Sequence, residues 1–167
     1  MPTDFMSLFA LLTASGARFV IVGGLATVMH GVDRTTSDVD VMLDLATEPT
    51  RAALKALTGA GFRPMAPVNP ADLADPMVRR RWQLEHNMQV FSLWDSTNSR
   101  PTVDILLDAV IPFEDLWRDA ITMTFRGVAV KVASIAHLIQ LKEYAGRPQD
   151  ISDVARLRQI TDMLKRE

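Results

Sequence analysis

Asp38 and Asp40 stand two residues apart at the head of the apolar run Asp38-Val-Asp-Val-Met-Leu43, and a third carboxylate, Asp104, interrupts a second such run, Val103-Asp-Ile-Leu-Leu107. In an extended chain residues two apart share a face, so Asp38 and Asp40 project together while Val39 and Val41 turn to the core. Carboxylates this close repel each other, and partial burial adds a desolvation cost. A divalent cation among them offsets both penalties. An all-oxygen donor set selects Mg2+ or Mn2+ over zinc, and magnesium keeps coordination positions for substrate phosphates. With Asp104 on a neighbouring strand, the trio can hold two cations. One would sit on a triphosphate and the other would lower the pKa of an attacking hydroxyl, for an in-line displacement at phosphorus. Asp104 then either binds the second metal or takes the hydroxyl proton.

Gly23-Gly24 ends the β-branched run Arg18-Phe-Val-Ile-Val22. Glycines let backbone approach a phosphate closely, and the N–H groups opening a helix from Leu25 to His30 would face an anion. Standing alone, the pair is equally well a tight turn after a strand. A polar turn from Gly31 to Ser37 leads on into Asp38.

These residues need a scaffold, and the pattern supplies one. Phe5, Leu8, Phe9 and Leu12 fall at helical spacing behind Thr3 or Asp4 as N-cap. The run resembles a secretory leader, but Asp4 rather than a basic residue precedes it. Strands are expected over 18–22, 38–43, 88–94 and 102–107, the last two as sheet neighbours. Residues 48–60 read as a helix with Pro49 at N1, and 62–78, with four prolines, as loop. A short helix over 113–119 precedes a hairpin of 121–125 and 128–132 around Arg126-Gly127. Ser134 caps a helix over 135–144, Gly146-Arg147-Pro148 breaks it, and 150–165 form a last amphipathic helix with Ile151, Val154, Leu157, Ile160 and Leu164 inward.

The 167 residues, 48% hydrophobic, suit one domain spanning 1–167. A net charge of -2 gives no global field for nucleic acid or an acidic membrane, so any polyanion must be held locally. Without cysteine there is no disulfide framework and no thiolate zinc site, and the cytoplasm is the expected compartment. No apolar stretch reaches the length of a membrane span, so no membrane partner is expected.

Taken together, Val22-Gly23-Gly24, thirteen intervening residues, Asp38-Val39-Asp40-Val41 and a later Val103-Asp104-Ile105 resemble the signature of the DNA polymerase beta-type nucleotidyltransferase superfamily. Within it, the forms Gly23-Gly24-Leu25-Ala26, His30-Gly31 and Arg34-Thr35-Thr36-Ser37-Asp38-Val39-Asp40 are similar to the compact AbiEii-like nucleotidyltransferases, many of them toxins of toxin-antitoxin pairs. The segment Leu141-Lys142-Glu-Tyr-Ala-Gly146-Arg147-Pro148-Gln-Asp150-Ile-Ser-Asp153 is similar to theirs as well. The resemblance implies an α/β (α+β) nucleotidyltransferase fold, a mixed β-sheet flanked by helices with further helices at the C-terminus. It implies Mg2+-dependent (or Mn2+-dependent) transfer of a nucleoside monophosphate with release of pyrophosphate. Asp38, Asp40 and Asp104 would be catalytic and metal-binding, and Gly23, Gly24, Arg34, Ser37 and Lys142 would face the nucleoside triphosphate. The acceptor would be RNA, commonly tRNA, or a protein hydroxyl, and a cognate antitoxin would be the partner. Many superfamily members carry serine where Gly24 stands, so phosphate contact there falls to backbone N–H groups.

Other residues have competing readings. Lys142 is read as reaching the triphosphate rather than as a surface lysine. Arg34 either forks onto a phosphate or braces its turn through Asp33 or Asp38. Asp150 and Asp153 suit the dipole of the last helix, and Asp150 is also placed to orient Lys142 or Arg147. His30 reads as a helix cap or packing residue, and His86 and His137 lack ligand spacing. Arg79-Arg80-Arg81-Trp82 is either a solvated face or a place for RNA phosphate and base stacking. Asp44 and Asp108 share parity with the trio but fall past their strand ends. A non-catalytic nucleotide- or partner-binding member is the rival function. An antibiotic nucleotidyltransferase is disfavoured, because no region is left over for a separate drug-binding domain.

Overall fold

The computed structural model describes residues 4–108 and 110–167, so Thr3, one of the two expected N-caps, lies outside the described residues. Asp4 caps α1 (Phe5–Ala14), accepting the Ser7 N–H at 2.8 Å. The buried run β1 (Phe19–Val22) feeds directly into α2 (Gly23–Met29), which begins at the glycine pair and not after it. Then follow β2 (Val39–Leu43) and α3 (Thr47–Gly59). Asp38 itself sits on the bend before β2.

The expected loop over 62–78 is instead largely structured. It holds β3 (Phe62–Pro64), a 3-10 turn over Pro70–Ala74 and the start of α4 (Pro76–His86). The prolines that read as breakers open these turns. Pro70 and Pro76 follow Asn69 and Asp75, whose side chains accept the N–H groups of Ala71 and Met77. Proline at the first helical position forfeits only an N–H that would be orphaned anyway.

β4 (Val90–Asp95) and β5 (Val103–Leu106) are sheet neighbours as expected and run antiparallel, and α5 (Phe113–Asp119) precedes the hairpin β6 (Ile121–Phe125) and β7 (Val128–Val132). The chain closes with α6 (Ile135–Ala145), capped by Ser134, and α7 (Pro148–Leu164). Gly146, at φ +64, supplies the left-handed residue between the two.

The seven strands form one mixed sheet in the order β3-β4-β5-β2-β1-β7-β6, with β2 parallel to β5 and β1 parallel to β7. Seven α-helices among the described residues flank it. The core is apolar and tight: Leu8, Ile21, Leu57, Phe91, Ile105 and Leu138 are all buried to 1% exposure or less. Each such side chain contributes about 1.5–3 kcal/mol. The last helix departs from the expected face. Val154 and Leu157 are buried, but Ile151 and Leu164 are 66% and 59% exposed, and the buried positions near its start are Asp150 and Asp153. Its N-terminal half docks through charge, because Lys142 and Arg34 lie opposite.

Candidate active site

The sheet register sets the site. Val22 pairs with Asp40, Asp40 with Asp104 and Asp104 with Ser92, so one row across β1, β2, β5 and β4 carries both strand carboxylates side by side. Val39, Val103 and Ile105 pack beneath, fully buried. Asp38, one step before β2, faces the same way. All three carboxylates line a cavity of about 920 Å3, together with Gly23, Gly24, Arg34, Ser37, Lys142, Arg147 and Asp150. That volume is of small-molecule size.

No cation serves the acidic floor: among the described residues Asp38, Asp40 and Asp104 have no Lys, Arg or His within ion-pair distance. Burial, then the nearby Asp104 carboxylate, pushes the Asp40 carboxyl up to about 6, although the Gly24 N–H donates to it. The same two causes raise Asp38, which Ser37 Oγ approaches at 3.5 Å. The glycine pair has a structural task here. A Cβ on Gly23 would lie 1.9 Å from Asp40 Oδ2, and its φ is +68, so β1 and β2 can meet at the carboxylate only if this residue is glycine. A Cβ on Gly24 would stand 3.0 Å from Thr36 Oγ1 and 3.2 Å from the Arg34 guanidinium.

The chemistry of the donors fits a hard divalent cation: oxygen only, partly desolvated and mutually repelling. Among the described residues, however, no group of three or more His, Asp or Glu side chains is gathered closely enough to hold a metal by itself. The protein would therefore supply part of a coordination shell, with phosphate oxygens and water supplying the rest, which is the usual habit of magnesium.

Opposite the acidic floor stands a cationic wall on α6, α7 and the turn before β2. Asp153, fully buried, accepts from Lys142 Nζ at 2.8 Å, from Gln149 Nε2 at 3.0 Å and from the Arg34 guanidinium. These donors hold its carboxyl below the usual range against the effect of burial. Arg34 thus braces its turn through Asp153, not through Asp33 or Asp38. Asp150 accepts from Arg147 Nε at 2.7 Å and lies 3.7 Å from Lys142 Nζ.

Two solved structures share this architecture. ANT(2")-Ia, in complex with adenylyl-2"-tobramycin, aligns with a TM-score of 0.57 over 93% of this chain and 87% of its own, at 16% identity. An antigenic nucleotidyltransferase-like protein from Paracoccidioides brasiliensis aligns with a TM-score of 0.54 over 90% of this chain and 72% of its own, at 17% identity. The chain has the nucleotidyltransferase fold. No family model matches the sequence, and no curated protein is significantly similar to it.

Within that fold, the residues read from sequence fall into two groups. Asp38, Asp40, Asp104, Gly23, Gly24, Arg34, Ser37 and Lys142 all line one cavity. Asp150 lines it as well, and the other candidates lie elsewhere. Trp82 is buried and stacked on Phe91 at 5.7 Å, so it offers no face to a base, and Arg79 donates to the carbonyls of Leu73 and Leu45. His30 is the C-cap of α2 and bonds the Ala133 carbonyl at 2.7 Å, while His137 stands 3.7 Å from Asp119. Asp44 pairs with Arg18 and Asp108 accepts from the Tyr144 hydroxyl, both past their strands. Arg147, which the sequence offers only as a residue that Asp150 could orient, lines the cavity with a side chain 77% exposed. Its signal was its place between a helix-ending glycine and a helix-starting proline.

Proposed function

We propose that this chain transfers a nucleoside monophosphate from a nucleoside triphosphate to a hydroxyl acceptor, with Asp38, Asp40 and Asp104 holding Mg2+ or Mn2+ against the phosphates. The observation that carries the proposal is the paired register of Asp40 and Asp104 on the cavity floor, with no protein cation within ion-pair distance of either among the described residues. The metal supplies charge neutralisation at the phosphoryl oxygens and acidifies the acceptor hydroxyl. The acceptor oxygen forms a bond to the α-phosphorus, and the bond from phosphorus to the bridging oxygen breaks. Pyrophosphate leaves with that electron pair, and Asp104 is placed to take the hydroxyl proton. Gly23 keeps Asp40 close to β1, while Gly24 and Ser37 line the phosphate side of the cavity. The cationic wall balances the charge of the triphosphate.

The resemblance to the AbiEii-like enzymes favours RNA, commonly tRNA, or a protein hydroxyl as acceptor. It also favours a toxin role with a cognate antitoxin, and a small helical or DNA-binding reading frame beside the gene would support that pairing. A small hydroxylated acceptor is the second reading. ANT(2")-Ia, whose complex contains an adenylylated tobramycin, aligns over 87% of its own length. That coverage supports keeping a small hydroxylated acceptor as the second reading.

Incubating the protein with Mg2+, each labelled nucleoside triphosphate and cell extract, then separating RNA, protein and small molecules, tests the proposal. Label should enter one fraction, and Asp40→Ala should abolish it. Absence of transfer from all four nucleotides, together with absence of metal-dependent nucleotide binding, would leave the non-catalytic reading.

A further inference from the structure

The two cations nearest the acidic floor on the α6–α7 wall are not equivalent. Lys142 is 5% exposed, and its ammonium is held by Asp153 at 2.8 Å with Asp150 at 3.7 Å. Drawing it toward a phosphate would leave the buried Asp153 with Arg34 as its one remaining cation and Asp150 with Arg147 alone, and breaking a buried pair costs several kcal/mol. Arg147 is the reverse case. Its side chain is 77% exposed and lines the cavity. Asp150, 3% exposed, accepts from its backbone N–H at 3.2 Å, from Nε at 2.7 Å and from one terminal nitrogen at 3.4 Å. The other terminal nitrogen donates to no acceptor among the described residues. The guanidinium plane is thus fixed on one edge and free on the other. Asp40 and Arg147 also attract each other across the cavity.

Resting on the nucleotidyl-transfer reading above, we infer that Arg147 is the residue that grips the triphosphate, with Asp150 as its positioning residue and Lys142 as a buried strut behind them. A planar guanidinium held along one edge presents a preset donor edge to phosphate oxygens, so little side-chain freedom is lost on binding. The position of Arg147 at the N-cap of α7, after Gly146 and before Pro148, fixes its backbone in the same way. Asp150 keeps the fork in register without itself approaching phosphate.

Calorimetric titration of each ribonucleoside triphosphate with Mg2+, and of the matching nucleosides, separates the possibilities. Wild type should bind one triphosphate in a magnesium-dependent way. Arg147→Gln should weaken that binding roughly 10- to 100-fold and leave nucleoside binding unchanged. Removing the guanidinium leaves the buried Asp150 with Lys142 at 3.7 Å, so the melting temperature should fall, and unchanged nucleoside binding reports that the variant is folded. Asp150→Asn should weaken triphosphate binding too, and the double variant should bind no more weakly than Arg147→Gln alone, since Asp150 acts through Arg147. A merely structural Asp150 would give additive losses and overturn its positioning role. Wild-type affinity in Arg147→Gln would overturn the grip while leaving nucleotidyl transfer standing. No metal-dependent binding by wild type would overturn both.

Discussion

At the residue scale the determining fact is that Asp40 is kept where its charge is unwelcome. Burial and Asp104 together lift its carboxyl to about 6. An aspartate whose native pKa exceeds its unfolded value holds its proton more tightly when folded. Its stabilising contribution is therefore full below about pH 4 and is lost as the pH rises through about 6. In protein freed of divalent cations, Asp40→Asn should be more stable than wild type at pH 7.5, by about 2 kcal/mol after allowing for partial exposure. The advantage should shrink toward zero near pH 4. Urea denaturation of both proteins across that range checks it, and a pH-independent difference would show that Asp40 is not strained by charge. The spacing of Asp38 and Asp40 made this pair legible in the sequence. The need for Gly23 was not, because it arises from the approach of two strands that only the register reveals.

At the element scale, the position of Asp104 depends on the turn that joins β4 to β5. Asp95, 3% exposed, accepts from Thr97 N–H and hydroxyl, from the Ser99 hydroxyl and from Arg100, whose guanidinium also lies over the Phe62 ring. These donors hold its carboxyl far below the usual range, so its stabilisation is present at neutral pH and lost only in strong acid. Asp95→Ala leaves Arg100 nearly buried without its partner and should cost about 3–5 kcal/mol in a thermal or denaturant melt. A loss under 1 kcal/mol would mean that the turn is held by other contacts. From sequence, Asp95-Ser-Thr-Asn-Ser-Arg-Pro101 was readable as a turn because of its composition. Its ionic centre was not, since any of several polar residues could have filled it. The β6–β7 hairpin was legible to its end residues, as alternation and Arg126-Gly127 left little choice. The stretch from Phe62 to Val78 reads as loop because proline ends a helix from inside, but it starts one from its first position.

At the scale of the whole molecule, the net charge of -2 conceals a division. Asp38, just before β2, and Asp40 and Asp104 on the sheet face one side of the cavity, and Arg34, Lys142 and Arg147, tied to Asp150 and Asp153, face the other. The fold brings together positions 23, 38, 104 and 147, and composition alone gives no hint of this separation. The face of α7 was misread for the same reason: its docking is partly ionic, and hydrophobic periodicity cannot register it. Under the proposed function, a cation would complete the acidic side when nucleotide binds. Titrating Mn2+ into the protein in the presence of a nucleoside triphosphate, with free Mn2+ followed by electron paramagnetic resonance, measures that directly. Wild type should take up the ion, and Asp40→Asn and Asp104→Asn should each weaken uptake at least about tenfold, the loss of one charged ligand. Equal Mn2+ uptake by wild type and both variants would contradict a metal held by these carboxylates.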